Sequence, residues 1–299
     1  MKSLRKPSTE QLKKLATRIS DEVFNKIHSS KTTIFLCGAS KEKKDSKREK
    51  IANALTGGWY SFHYDILYPE DLFDELMMGP SQQDLMSMEN ILAESVDAIV
   101  LVPESPGAFA ELGAFVTNEA LREKLICVQD IKYKKKKSFI NYALRLIKKS
   151  KKGEIVYINF TEELGETDSL RKAISKMRRS SSKVVNIVNV IQTESFVLSS
   201  IYLLEPVLRE LLVTLVMLAS EANEKKAKIA TTAALSILMK KKMIQLTPDG
   251  YQLTQAGIKR FLELGKHGKS KSYFDLEALD QMRIDILSWK YRDKVLTVS

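Results

Sequence analysis

Residues 97–115 read DAIVLVPESPGAFAELGAF. An apolar strand-like run, Ala98–Pro103, meets a Ser105-Pro106-Gly107 turn and opens a helix of small and apolar residues carrying one charge, Glu111. A short, fully apolar strand passing straight into a helix is half of a βαβ unit, the building block of parallel sheets covered on both faces. The same alternation extends to both sides. Strand-like runs fall at Thr33–Cys37, His63–Tyr68, Leu125–Gln129 and Glu154–Phe160, with helical stretches at 46–56, 70–77, 84–96, 108–122, 138–149 and 168–179.

Five such strands predict an α/β domain with a flavodoxin-like parallel sheet, most simply ordered 2-1-3-4-5. Before it, residues 8–28 carry Leu12, Leu15, Ile19, Val23, Phe24 and Ile27 at helical spacing, with Ser8 or Thr9 as the cap. After it, the polar run Arg178–Lys183 marks a boundary. The expected organisation is therefore an N-terminal helix (1–29), an α/β domain (30–180) and a further α+β domain (183–299). The last segment gives helical runs at 195–220, 222–229 and 230–242. MIQLTPDGYQLT follows, two short strands about Pro248-Asp249-Gly250, and then a helix QAGIKRFLEL that Thr254 can cap. Three helices, a hairpin with a tight turn and a closing helix predict a winged helix-turn-helix, a fold for which the YxLTxxG ending is a fairly specific mark.

Composition narrows the class. Hydrophobic residues make up 44% and charged residues 28% of the 299, which suits packed domains. The longest apolar run, Leu211–Ala219, is about half of a bilayer span, and the N-terminus lacks an export-type apolar region. A cytoplasmic, membrane-free protein is expected. Cys37 and Cys127 lie in apolar runs and read most simply as buried thiols; neither forms a metal-spaced pair, and three scattered histidines argue against a metal. The net charge of +11 favours a polyanionic partner over a merely basic surface. It is concentrated in KEKKDSKREK, KYKKKK, KKSKK, RKAISKMRRSSSK and KKAK, which adjoin the structural runs.

In an open parallel sheet, ligands bind beyond the carboxyl ends of the strands where strand order reverses. For order 2-1-3-4-5 that point lies between strands one and three. There the loop Cys37-Gly38-Ala39-Ser40 would face the Ser105-Pro106-Gly107 turn. Gly107 permits close approach of a ligand to the backbone at a helix N-terminus. The same dipole is expected to help keep Glu111 ionised, as a nucleophile must be. The bland alternative is a solvated carboxylate, but a lone charge in so apolar a helix is costly unless it faces a cleft. Tyr68, Glu70 and Asp71 close strand two, either within reach of this site or as an acidic helix start.

SPGAFAELGAF resembles the nucleoside deoxyribosyltransferase motif, in which the glutamate of ELG is the nucleophile on the anomeric carbon of a nucleoside. A fold-level likeness to that family covers residues 30–180. A closer resemblance, carried by YPEDLFDEL, MENILAESVDAIVLVPESPGAFAELGAF, KLICVQD, KKSFINYALRL and DGYQLTQAG, is to the effector proteins of type II retrons. It implies a deoxyribosyltransferase-like domain joined to a C-terminal DNA-binding domain. It also implies a toxin of antiphage defence, restrained or activated by a reverse transcriptase carrying its branched RNA–DNA product (msDNA). NAD is the leading substrate, with no cofactor, and higher-order assembly is a reasonable expectation. On this resemblance Glu111 matches the nucleophile. Glu89 stands where the transferases have an aspartate that helps hold the substrate, and Ser105 where they usually have an acidic residue contacting the base. The departure at Ser105 argues against base exchange on free nucleosides.

The expected substrate-binding set is Cys37, Gly38, Tyr68, Glu70, Asp71, Glu89, Ser105 and Gly107. In the C-terminal domain the helix at 230–242 turns Leu235 and Leu238 inward and leaves Thr232, Ser236 and Lys240 outward. With Lys225, Lys226, Lys228, Lys241 and Lys242 they form the expected nucleic-acid face. The hairpin tip, Thr247-Pro248-Asp249-Gly250, is acidic and lacks arginine, which favours docking to msDNA or its reverse transcriptase over promoter reading. KYKKKK is either a further phosphate contact or a solvated loop. Two other classes remain, a nucleotide-sensing regulator without catalysis and a transferase acting on free nucleosides.

Overall fold

The computed structural model describes residues 8–40, 42–57, 63–70, 92, 94–135, 140–161, 167–180, 184–267, 271–272 and 274–291. Its described residues form two compact units, one drawn from 31–184 and the other from 8–30 and 185–291.

The first unit is α/β. Its strands are β1 (Thr32–Cys37), β2 (Tyr64–Leu67), β3 (Ala98–Leu101), β4 (Leu125–Asp130) and β5 (Glu154–Ile158). They pair in parallel in the order 2-1-3-4-5 that the sequence predicts. The register sets Ile34 beside Ala98 and Leu36 beside Val100, so β1 and β3 run side by side to their carboxyl ends. Every residue of β1, β3 and β4 is buried, which is why these strands read as continuous apolar runs rather than alternating ones. One face packs Ile34, Leu36, Val100 and Ile126 against Ile51 and Leu55 and against Leu170 and Ile174. These helical residues belong to α3 (Lys47–Thr56) and to a helix at Asp168–Arg179.

The expected helix at 108–122 is two elements. In the first, α4 (Pro106–Thr117), proline occupies the opening turn, where its missing N–H costs nothing. Asn118 ends it in an extended conformation and caps α5 (Glu119–Arg122) with its own side chain. The helices expected at 70–77 and 84–96 fall almost wholly outside the described residues.

The N-terminal run belongs to the second unit. It comprises α1 (Thr9–Ile19), a π-helical turn (Ser20–Phe24) and α2 (Asn25–Ser30). Ser8 is its cap, in a reciprocal capping box with Gln11. The helix expected at 195–220 is two, Val190–Leu204 and Arg209–Ser220, because Pro206 cannot continue the first. Conversely, the runs at 222–229 and 230–242 are one helix, Glu224–Lys240. The hairpin pairs β6 (Ile244–Thr247) with β7 (Gly250–Leu253), and Val207 adds a bridge to Tyr251. Gly250 turns at φ +128°, and a Cβ there would lie 2.5 Å from the Val207 carbonyl oxygen, so only glycine fits. Thr254 caps the next helix, Gln255–Gly265. A last helix, Leu276–Tyr291, was not read from the sequence; it buries Leu279, Met282 and Ile286. No helix among the described residues is long and apolar enough to cross a membrane.

Candidate functional site

The site lies at the carboxyl ends of β1 and β3, where strand order reverses. Cys37 closes β1 and is fully buried. Its thiol interacts with the part-buried Glu111 carboxylate on α4, which raises the thiol and lowers the carboxyl. Glu111 is pushed up to about 7, chiefly by burial; the Glu70 charge acts in the same direction, while the Cys37 hydrogen bond and the Arg48 charge oppose it. This corrects the expectation that the helix dipole keeps Glu111 ionised. The dipole acts within the first turn, and Glu111 is the sixth residue of α4, so desolvation prevails. The Cys37 thiol is itself raised well above its ordinary value, by burial first and by Glu111 next.

Arg48, from α3, organises the remainder. Its guanidinium grips Glu70 with two hydrogen bonds, at 2.8 and 3.1 Å, and sits 5.4 Å from the centre of the Tyr68 ring. Arg48 is 3% exposed, so the fork fixes both groups after β2. A Cβ on Gly38 would lie 2.7 Å from the Arg48 Cβ; glycine there admits the arginine. At Gly107 a Cβ would meet no protein atom within 4 Å, so protein packing does not require that glycine.

The two turns expected to face each other are tied together. Ser105 caps α4 by accepting from the Ala108 N–H at 3.2 Å, and its hydroxyl donates to the Gly38 carbonyl at 3.0 Å. The Glu104 carboxylate accepts from the N–H groups of Ala39, Lys47 and Arg48 at 3.3, 2.9 and 2.9 Å, filling the N-terminus of α3 with a charge from the β3 loop. Cys37, Gly38, Tyr68, Glu70, Ser105 and Glu111 are thus assembled in one place. Asp71 and Glu89 lie outside the described residues.

Sequence reading passed over Arg48 and Glu104. Arg48 is in helical phase with Ile51 and Leu55, a charge on the buried face of its helix, yet it sits inside KEKKDSKREK, a run read only as a basic cluster. Asp130, which closes β4, was also missed. Burial would raise its carboxyl, but hydrogen bonds and charge from Lys47, at 2.9 Å, together with the Lys132 contacts, hold it below its usual value. Among the described residues no cluster of three or more His, Cys, Asp or Glu side chains could hold a metal.

In the second unit Leu235 and Leu238 are buried on Glu224–Lys240, while Lys225, Lys228, Ser236 and Lys240 are exposed and Thr232 is half-buried. Arg209, which the sequence reading also missed, reaches this face and donates to the Thr232 hydroxyl at 2.6 Å. Lys226 and Lys242 are exposed at either end of the helix. Lys241 is set apart from the face, since its ammonium pairs with both Glu194 oxygens at 2.8 and 3.0 Å.

A parallel α/β unit with a perturbed carboxylate at its switch point, carried in one chain with a helical unit that bears a hairpin, defines a class of two-part proteins. Residues 44–246 match the family described as STM3845 retron effector protein, and the chain belongs to that retron effector family. It is 37% identical over 304 residues, 97% of this chain and 95% of the relative, to an Escherichia coli protein of retron Ec86 whose name proposes ribosyltransferase and DNA-binding roles. A second E. coli protein, of retron Ec73 and named in the same terms, is 34% identical over 113 residues, 37% of this chain and 36% of its own.

Proposed function

We propose that the chain is a retron toxin that cleaves the N-glycosidic bond of NAD or a related nucleotide with Glu111 as nucleophile. The observation that carries this reading is the Glu111 carboxylate, placed with the buried Cys37 thiol at the switch point and poised near neutrality. The family supports it, and so do the ribosyltransferase roles proposed for the relatives. In the first step a Glu111 oxygen attacks C1′ of the ribose bearing nicotinamide. The C–N bond breaks, its electron pair leaves with neutral nicotinamide, and a ribosyl ester forms on Glu111. Water then attacks C1′, releasing ADP-ribose, the free carboxylate and one proton, as in two-step retaining glycoside hydrolysis.

A nicotinamide that departs from a cationic pyridinium needs no general acid, which fits a site with one strong carboxylate. That positive ring also favours the ionised form of Glu111 as substrate binds, offsetting the effect of burial. Arg48, through Glu70 and Tyr68, shapes the wall opposite α4. On this reading the flavodoxin-like, deoxyribosyltransferase-like domain spans 30–180 and works in the cytoplasm without a cofactor.

The segment 183–299 is read as a winged helix that docks on the msDNA–reverse transcriptase complex and so couples phage sensing to cleavage. Lys225, Lys228, Thr232, Ser236 and Lys240 are its contact face, and Arg209 joins them. The test is NAD and nicotinamide in cells carrying the complete retron, followed after phage challenge for wild type and Glu111→Ala. Loss of NAD with release of nicotinamide in wild type alone is the expected result. Stable NAD in both strains overturns the cleavage reading and leaves a nucleotide sensor on a docking module.

A further inference from the structure

The two basic runs KEKKDSKREK and KYKKKK are far apart in sequence, yet the fold brings their described residues to one edge of the sheet. The first follows β1 and the second follows β4, both at carboxyl ends. Lys47 joins them. Its backbone N–H is held by Glu104 at 2.9 Å, and its ammonium reaches Asp130 at 2.9 Å. Lys132 also approaches Asp130, at 3.4 Å, with 54% of its side chain exposed. Two ammonium groups therefore share one carboxylate, leaving net positive charge open to solvent. Between them lies Tyr133, 46% exposed, with the Lys132 and Lys47 ammonium groups 5.2 and 5.6 Å from its ring centre.

The usual place for a phosphate in a doubly wound sheet is the N-terminus of a helix that follows a strand. Here the Glu104 carboxylate already occupies the first N–H groups of α3, so a phosphate on this side of the sheet edge meets the Lys47 and Lys132 side chains rather than that helix N-terminus. With neighbouring strands spaced by about 4.8 Å, the end of β4 lies roughly 10 Å from the end of β1 and its Cys37–Glu111 pair. That separation is comparable to the span of a diphosphate joining two riboses.

We propose that Lys47, Lys132 and Tyr133 form a second subsite of the Glu111 site, in which the two lysines hold the diphosphate of a dinucleotide and Tyr133 stacks against its distal base. The inference rests on the assignment of Glu111 as nucleophile. Under it the substrate is a dinucleotide and not a nucleoside, and specificity lies in the cationic edge.

The test uses the full chain, alone and with its msDNA–reverse transcriptase complex, as wild type and as the double variant Lys132→Ala/Tyr133→Ala, with NAD and nicotinamide riboside as substrates. The two share the reacting ribose and leaving group and differ in the diphosphate and distal nucleoside. Wild type is expected to cleave NAD with a kcat/KM at least 100-fold higher. The double variant should lose at least ten-fold on NAD, mainly through KM, with cleavage of the riboside unchanged. Equal use of both substrates by wild type, or an equal loss on both in the variant, overturns the subsite. So does a variant that loses only its grip on a single-stranded DNA oligonucleotide. Should wild type cleave neither, the glycosidase reading fails, and calorimetry with ADP-ribose still reads the subsite. Binding weakened ten-fold by the double variant supports it, and unchanged binding overturns it.

Discussion

Buried polarity is handled differently in the two units. In the helical unit it consists largely of hydroxyls that return their hydrogen bonds to their own helices. Thr193, Ser199, Ser200 and Thr231 each donate to a carbonyl four residues earlier, at 2.7–2.8 Å. His28 and Ser195, 2.8 Å apart, satisfy each other. In the α/β unit the interior holds charges, and these sort by edge. At the amino ends of the strands, Asp97 and Lys124 serve the backbone, accepting from the Thr33 N–H and donating to the Val96 carbonyl. At the carboxyl ends, Arg48 grips Glu70 beside Glu111, while Asp130, at the end of β4, pairs with Lys47 and also accepts from the Lys132 N–H. Buried hydroxyls with local partners indicate packing. Buried charges committed to one another, next to a carboxylate raised towards neutrality, indicate chemistry.

The largest expected effect breaks the comparison where it is sharpest. Glu111→Gln removes the nucleophile while keeping its shape, and kcat for NAD cleavage should fall by roughly 10³-fold or more. An activity loss under ten-fold would move the chemistry elsewhere. Next in size is Phe261→Ala in the helical unit. Phe261 is fully buried and stacked between Tyr202 and Phe274, with ring centres 4.0 and 5.1 Å away. The cavity should cost about 3–5 kcal/mol, read as a shifted denaturation midpoint. Glu111-dependent cleavage in native conditions should persist if catalysis belongs to the α/β unit alone. Smaller still is Lys225→Ala/Lys228→Ala on the exposed face. It should weaken binding to msDNA by roughly ten-fold and reduce the slope of log K against log salt by about one per lysine. An unchanged slope would mean that this face meets protein.

How much of this was legible in the sequence follows from the same contrast. The sheet order could be read because β1, β3 and β4 each hold a buried, mainly apolar run, with glycine and proline turns following β1 and β3. Glu111 could be read because it is a lone charge in an apolar helix. Arg48 could not easily be, since its burial depends on the helical phase it shares with Ile51 and Leu55, inside a run rich in surface lysines. Glu104 and Asp130 acquire their roles only when loops 57 and 83 residues distant bring Lys47 to them. In the helical unit the breaks were misplaced for a related reason. Pro206 interrupts what periodicity reads as one helix, while Glu224–Lys240 continues through a stretch where composition changes but backbone preference does not. The perturbation of Glu111 was misjudged because the dipole is a local feature visible in sequence, whereas desolvation is a property of the fold.

That desolvation has a stability consequence, the smallest effect predicted here. In the fold the Glu111 carboxyl is raised from 4.5 to about 7, so the folded chain prefers it protonated. The stability contributed by that preference is complete below about pH 4.5 and is lost as pH rises through about 7. Glutamine cannot ionise and keeps the shape of the protonated acid. The denaturation midpoints of wild type and Glu111→Gln should therefore coincide near pH 5 and diverge by pH 8, with the variant more stable. Glu111 is only partly buried, so solvent screening brings the difference to on the order of 1 kcal/mol. Cys37→Ala should widen the gap against Glu111→Gln at pH 8, because the thiol is the larger of the two influences, with the Arg48 charge, that favour the ionised form. A midpoint difference that stays constant from pH 5 to pH 8 would show that burial does not raise Glu111, and the carboxyl edge would then lack the poised acid that distinguishes it from the helical unit.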